Sequence, residues 1–486
     1  MSGKRIKRKQ TRLLNVYLWI SSCFLLSSSP VFSEPLTLHQ AIETALQSNL
    51  QMVKAEMDAD YAQKQVQLEK RAWHPKWQVA LHADTEQSKT LTHRDHGSTA
   101  GLTPSMVFHS VLGTEINLQA TQNMTRGQTP QSHTLWQVTV EQPLLKGLSP
   151  KVNKASLISA KHQKKLTKKQ QEETQDLVIL TVIQHYVNLH TLRQTKQLQV
   201  QHLKNQESFQ AVMSKKIEMG RMAELDGMMQ ALYLQRLQSS IQQTDRSLEK
   251  MKADLGTLIV VSLSQTEDIS PLKSTFDELY PENHYLEKAK HYHLKAIEWD
   301  MDYLKQEKAI LEDNQLWDLR LKGIFSVGRS HYRFDQDGLD FNPDLHNHAR
   351  QRNYVGLFLN VPLSKDHRLE LAKYQNLSWQ HKRRLDYENK MMTLEMQVKN
   401  GYDQIAYWAS QKNLALRAQM IAQKTLTIEE QKYLAGRSSA LEWENAQASE
   451  LQAAIDVLST EMGLFLAHAE LDYLCGLLHE TWHAYV

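Results

Sequence analysis

The chain has 486 residues but only 17 glycines and 11 prolines, a composition that favours long helices over many compact loops. Its formal net charge of +3, counted with histidine neutral, comes from residues 1–33, which contain basic residues and no acidic ones. The rest of the chain is slightly acidic, so the overall charge gives no evidence of nucleic-acid binding. The two cysteines are Cys23 and Cys475, and an intramolecular disulfide would need both of them.

Residues 1–33 have the organisation of a secretory signal peptide. Six basic residues precede the apolar run LLNVYLWISSCFLL, and the small residues Val31 and Ser33 occupy the cleavage-site positions. We therefore predict that the mature chain begins at Glu34. A lipoprotein signal with Cys23 as the lipidated residue is an alternative, although the apolar residues that follow Cys23 favour ordinary cleavage.

The first segment after the signal, residues 36–71, has apolar residues at helical spacing and is predicted to be a helix. Alternation of apolar and polar residues then predicts strands within 77–142, in three stretches that begin at Trp77, Thr114 and Trp136. The same alternation recurs within 318–363, where it is more regular. Each set of strands is followed by a helical segment that is poor in glycine and proline, and residues 151–219 contain neither.

These elements occur twice because the chain is an internal duplication. The sequence around Gly220 corresponds to the sequence around Gly436, and Trp73 and Pro143 have counterparts in the second copy. The first copy is longer between its tryptophan and its proline, and the extra residues, about 95–131, fit a longer strand, an extracellular flap or a plug.

Strands with one apolar and one polar face are typical of a transmembrane barrel with a wet interior, and equally of a soluble sandwich with one solvated face. Two strand pairs are too few to close a barrel in one chain, so a barrel would need several subunits. Helices of nearly seventy residues exceed any globular core and are predicted to pack along one another as a coiled coil. Gly220 and Gly436 are predicted to form the turns of two helical hairpins, and Ser439 with Glu442 has the spacing of a capping box.

Three stretches carry a resemblance to a known family. They are LTLHQAIETALQSN at 36–49, VEQPLLKGLSPKVNKASL at 140–157, and the two glycine turns. Together with the duplicated order of elements, they resemble the TolC family of outer-membrane efflux proteins over nearly the whole mature chain. The resemblance implies a mostly α fold with β-strands, in which a trimer forms a twelve-stranded transmembrane β-barrel continued by a periplasmic α-helical coiled-coil tunnel.

The resemblance also implies a domain organisation. A first repeat at 34–260 and a second repeat at 286–475 flank an equatorial segment at 261–285, and a C-terminal tail occupies 476–486. Each repeat is expected to contain a helix, two barrel strands and a helical hairpin.

The function implied is that of an outer-membrane exit duct for a tripartite efflux or type I secretion system. Its partners would be two further copies of the chain, a periplasmic adaptor, an inner-membrane pump and outer-membrane lipid. The duct would conduct small molecules or proteins passively, with no enzymatic activity, cofactor, metal or nucleic acid. A soluble periplasmic coiled-coil scaffold is the alternative function.

By the same resemblance, the turns would hold the adaptor and the residues after them would line the tunnel entrance. The adaptor-binding residues are Met219, Gly220, Arg221, Ala435, Gly436, Arg437 and Ser438. The entrance residues are Glu442, Asn445 and Asp226, and Asn445 stands where the family pattern has a second acid.

The C-terminal residues HETWH, 479–483, match the H-E-x-x-H pattern of zinc proteases. A catalytic zinc site also needs a third protein ligand, and only three residues follow the motif. We therefore predict that this segment is not a metalloenzyme site.

Overall fold

The computed structural model of the chain gives its architecture in two compact units. It describes residues 35–89, 94–126, 131–220, 223–261, 269–270, 272, 280–332, 347–364, 366–435 and 437–481. The predicted signal peptide, with Cys23 and Glu34, lies outside the described residues. One unit comprises Met57–Lys169 and Leu294–Lys390, and the other comprises the remaining segments.

The first of these units contains a single antiparallel sheet in which each strand pairs with its neighbours in sequence. Its strands are β1 Lys76–Lys89, β2 Arg94–His109, β3 Glu115–Arg126, β4 Gln131–Pro143, β5 Asp318–Tyr332 and β6 Asn347–Asn360. Two strand pairs were expected, and that expectation is wrong because the first copy contributes four strands. The additional hairpin, β2–β3, accounts for the greater length of the first copy.

Alternating side chains give the sheet one apolar and one polar face. Cross-strand pairs such as Trp77 with Met106 and Val138 with Phe325 keep apolar residues on the same face from strand to strand. Polar pairs such as Gln78 with Ser105 occupy the other face. The predicted alternation is therefore present in the sheet, and it is least regular in β6, where Asn353 pairs with Phe325.

Helices make up most of the rest of the described chain, in agreement with the predicted mostly α fold. They are α1 Leu38–Ser48, α2 Leu50–Lys70, α3 Pro150–Asn153, α4 Ala155–Glu218, α5 Glu224–Ile259, α6 Glu282–Asp313, α7 His367–Leu434, α8 Ala440–Leu474 and α9 Leu478–Thr481. The 64 residues of α4 and 68 of α7 give each helix a length of about 100 Å at about 1.5 Å per residue. No described helix combines the length and hydrophobicity needed to cross a membrane.

The second unit has a hydrophobic core to which α1, α4, α5, α8 and the short α9 contribute. Ile42, Ile183, Ile259 and Phe465 are fully buried in it. The core continues into the segment between the repeats, since Tyr186 donates its hydroxyl hydrogen bond to the carbonyl oxygens of Leu36 and Ser270, at 2.8 and 3.0 Å. Leu36 also forms a β-bridge with Ile269, so the segment before α1, the segment between the repeats and α4 are fixed to one another.

Candidate functional site

The first glycine turn closes α4 with a left-handed residue. Gly220 has φ of +71°, and its N–H donates to the Ile217 carbonyl oxygen at 2.8 Å. A Cβ added at Gly220 would meet no described atom within 4 Å other than those of its chain neighbours. The predicted cap geometry is therefore present, and the space beside the glycine is open. Met219 is exposed, and Arg221 lies outside the described residues.

The second turn begins with two backbone hydrogen bonds at the end of α7. The Ala435 N–H donates to the Gln431 carbonyl oxygen at 3.0 Å, and the Arg437 N–H donates to that of Lys432 at 2.8 Å. Gly436, between them, lies outside the described residues. The turn thus ends the long helix and leaves Ala435 and Arg437 exposed.

The predicted capping box at the start of α8 is confirmed. Ser439 accepts from the Glu442 N–H at 3.3 Å through its hydroxyl oxygen, and the Glu442 carboxylate accepts from the Ser439 N–H at 2.9 Å. The Ser438 hydroxyl lies within hydrogen-bond distance of the carboxylates of Glu442 and Glu429, at 2.9 and 2.8 Å. Hydrogen bonds from the Ser439 N–H and the Ser438 hydroxyl lower the pKa of Glu442 below its usual value, so its charge is retained in mildly acidic solution.

The entrance residues divide between two positions. Glu442 and Asn445 are both exposed and stand three residues apart, so they share one face of α8. Asp226 of α5 is half-buried and lies instead near Glu444, which is on the buried side of α8. Burial and then the Asp226 charge raise the pKa of Glu444. The sequence analysis did not identify Glu444, and its position next to an exposed glutamate gives no local indication of burial.

An aromatic cluster joins the two helical hairpins close to their turns. Phe209 of α4 contacts Trp443 of α8, with ring centroids 3.6 Å apart, and Tyr433 of α7 stacks on the same indole at 5.7 Å. Met213 completes the cluster and is fully buried. The sequence analysis missed these residues, because Phe209 and Trp443 belong to different repeats and no local pattern connects them.

Behind the first turn, buried polar side chains join α4 to α5. Gln230 donates to Gln206 at 2.7 Å, and His202 shares a hydrogen bond with the Tyr233 hydroxyl at 2.8 Å. Burial lowers the pKa of His202, so the imidazole is held neutral between the helices. Polar pairing of this kind fixes which residues face each other more strictly than apolar contacts do, although the side-chain oxygen of Gln230 has no hydrogen-bond partner among the described residues.

The first histidine of the HETWH motif has a structural partner. His479 Nδ1 lies 3.2 Å from the carboxylate of Asp176, which is fully buried and also accepts from the Tyr292 hydroxyl. His483 lies outside the described residues, and no cluster of three potential metal ligands occurs within the described ranges. His479 thus anchors the C-terminal segment to α4.

These features accompany a match to a known family. The family described as outer membrane efflux protein matches residues 41–259 and 286–476, which together cover most of the chain. The chain belongs to the outer membrane efflux protein family. The resemblance to TolC-like proteins is therefore confirmed, and with it the placement in the outer membrane.

The fold is shared with solved outer-membrane channels. The chain is similar to CusC, described as forming a transmembrane channel, with a TM-score of 0.68 and 14% identity over 93% of this chain and 99% of CusC. It is similar to VceC of Vibrio cholerae, with a TM-score of 0.66 and 14% identity over 90% of this chain and 96% of VceC. It is also similar to CmeC of Campylobacter jejuni, with a TM-score of 0.67 and 13% identity over 93% and 90% of the two chains. No curated protein sequence gives a significant match.

Proposed function

We propose that three copies of this chain form the outer-membrane exit duct of a tripartite efflux or type I secretion system. The duct conducts small molecules or proteins passively from an inner-membrane pump, without catalysing a reaction. In this proposal, the repeats 34–260 and 286–475 supply the wall, with 261–285 between them at the equator and 476–486 as a C-terminal tail.

The observation that carries the proposal is the two-faced sheet. Its apolar face exposes Trp77, Leu81, Val355 and Leu357, all more than 60% accessible in the single chain. Lipid is the solvent that such a face requires, and a polar opposite face suits a water-filled lumen. The family assignment gives the membrane in question, which is the outer membrane.

The alternative, a soluble periplasmic scaffold, does not account for this face. Large contiguous apolar patches are rare on soluble proteins and cause aggregation unless a partner covers them. The helical hairpins alone would suit a scaffold, whereas the sheet would have no role in one.

The turns are proposed to hold the periplasmic adaptor. Gly220 supports this role because, apart from its two chain neighbours, no described atom lies within 4 Å of the place a Cβ would take, which leaves room for a second backbone. Met219, Arg221, Ala435, Gly436, Arg437 and Ser438 form the rest of the proposed adaptor surface. Close packing of a partner at a glycine is sensitive to any added side chain, and the test below uses this sensitivity.

The exposed face of α8 is proposed to line the tunnel entrance. Three copies of Glu442 would form a negative ring that favours cations, and Asn445, three residues further on, adds no charge. Asp226 would contribute to the same entrance at a position closer to the aromatic cluster.

An export assay in the native bacterium tests the proposal. Loss of the protein should raise the accumulation of fluorescent dyes or abolish the release of a secreted protein, and the intact chain should restore the normal level. Gly220→Asn should fail to restore it although the protein still assembles, because asparagine tolerates the left-handed turn but fills the open space. Unchanged accumulation and secretion after loss of the protein, together with its recovery in the soluble periplasmic fraction, would contradict the proposal.

A further inference from the structure

The additional hairpin of the first copy has the features of a membrane-spanning element. Resting on the proposed function, we propose that β2 and β3 are built into the barrel wall of each subunit, so that the trimer closes with eighteen strands rather than twelve. Each sheet is joined on both sides by the sheet of a neighbouring copy, and the exit is wider than that of a twelve-stranded barrel.

An apolar row crosses the hairpin from β1 to β5. Trp77 of β1 pairs with Met106 of β2, and Met106 pairs with Leu118 of β3. On the far side, Leu118 pairs with Val138 of β4, which in turn pairs with Phe325 of β5. These five residues are apolar and lie on the same face, so the belt passes from β1 through the hairpin to β5 at this level.

On β2 the apolar belt approaches the height of a lipid-facing band, and on β3 it is shorter, because the apolar positions from Ile116 to Ala120 are followed by Gln122. Apolar residues occupy every second position of β2 from Ala100 to Phe108. At about 3.4 Å per residue this is about 27 Å along the strand, and the tilt usual in barrels reduces the height to about 20 Å. The apolar band of outer-membrane barrels is about 25 Å tall. A flap outside the membrane would have no need of such a belt.

The opposite face of the hairpin is polar. Thr103 and Ser105 of β2 lie on this face, and Asn117 and Gln119 of β3 pair with Thr139 and Gln137 of β4. Both strands therefore show the apolar-out, polar-in pattern of the rest of the sheet, as expected of strands between lipid and a wet lumen.

The turn between β2 and β3 is fixed beside the helical end of the sheet. Asn153 of α3 donates to the carbonyl oxygens of Val111 and Gly147, at 3.1 and 2.8 Å. Gly113, with φ of +79°, packs so closely that an added Cβ would lie 2.5 Å from the Gly147 carbonyl oxygen. The hairpin is thus anchored at the level where β4 leads into the helices.

The edges of the sheet allow identical copies to close a ring. Within the described residues the edge strands are β1 and β6, and they run in opposite directions because six consecutive strands alternate. β6 of one copy can therefore pair antiparallel with β1 of the next. This pairing gives hydrogen-bond partners to the edge N–H and C=O groups, which would otherwise be unpaired in lipid. Three copies of a six-stranded sheet supply eighteen strands. Since barrel diameter grows roughly linearly with strand number, the wall would be about 1.5 times as wide as one of twelve strands.

Cysteine labelling in outer-membrane vesicles tests the position of the hairpin. In a Cys475→Ala background, single cysteines are placed at neighbouring positions of opposite faces: Leu102→Cys against Thr103→Cys in β2, and Leu118→Cys against Gln119→Cys in β3. The matched control is Phe325→Cys against Ser326→Cys in β5. A charged, membrane-impermeant maleimide should label the polar-face member of each pair at least about tenfold faster, because thiolates form in water and not in hydrocarbon.

The labelling separates the two proposals. If the two cysteines of the β5 pair differ in labelling rate but those of the β2 and β3 pairs do not, the eighteen-stranded wall is overturned and the channel proposal stands. Uniform labelling in all three strands would overturn the membrane-spanning sheet and, with it, the proposed function.

A deletion tests the width directly. Removing residues 94–126 leaves residues 90–93 and 127–130 to connect β1 to β4, which already run antiparallel. Electron cryo-microscopy of the full chain and of this variant should show barrels whose diameters differ by about 1.5-fold. Equal diameters would contradict the proposal. A variant that fails to assemble leaves the decision to the labelling and to the strand count of the full chain, where twelve strands would overturn it.

Discussion

Replacing Trp443 with alanine should loosen the two helical hairpins where they meet. Trp443 is only 4% exposed and contacts Phe209 and Tyr433, so it joins α8 to α4 and α7. Truncation of a buried aromatic residue costs about 3–5 kcal/mol, and the lower figure suits a cluster that includes the half-buried Phe209. About 3 kcal/mol corresponds to about 150-fold in the local opening equilibrium.

Hydrogen exchange followed by mass spectrometry measures this opening. Trp443→Ala should speed exchange in segments 205–220 and 425–447, while the core around Ile183 and Phe465 keeps its protection. Trp443→Phe is the matched control. It keeps one aromatic ring in the cluster and removes the smaller part of the indole, including an N–H that has no hydrogen-bond partner among the described residues. Unchanged exchange near the turns in Trp443→Ala, or equal effects of the two variants, would refute the reasoning.

Four other substitutions test separate parts of the account. Glu442→Gln should reduce cation selectivity, measured as a reversal potential in planar bilayers, while glutamine can still complete the capping box; an unchanged potential would place Glu442 away from the conducting path. Ser439→Ala should cost about 1 kcal/mol of local stability at the start of α8, seen as faster exchange there, and equal exchange would mean that the cap contributes nothing. Burial lowers the pKa of His202 from its usual 6.5. The α4–α5 pairing should therefore weaken as the pH falls below about 6.5, because His202 takes up a proton more readily when the helices separate and expose its imidazole than when they are paired. His202→Gln should flatten this pH dependence of exchange, and an equal slope in both proteins would exclude His202 as its source. Gly113→Ala should impair assembly more than Gly220→Ala, judged by the yield of folded protein in detergent, since only Gly113 adds a close backbone contact to the positive φ; equal yields would contradict the anchoring of the β2–β3 turn.

Features encoded by neighbouring residues could be predicted from the sequence. The capping box of Ser439 and Glu442 needs residues three positions apart, and the left-handed turn at Gly220 needs a single glycine, so both were found. The long helices follow from stretches that lack glycine and proline. The outer-membrane family followed from the order and duplication of these elements.

The missed strand shows where local patterns mislead. β2 contains Gly101 and Pro104, residues that usually indicate turns, and so it was not predicted. In the sheet, Gly101 provides space for the His82 ring, which would lie about 2 Å from an added Cβ. The ladder between β2 and β3 is interrupted beside Pro104, which has no N–H to donate. These residues are explained by neighbouring strands, which a single sequence does not place side by side.

The most direct test of the central proposal combines location with mass. The protein should be recovered from the outer-membrane fraction only after detergent extraction, and light scattering corrected for bound detergent should give the mass of three chains. A soluble monomer or dimer in the periplasmic fraction would contradict the outer-membrane duct.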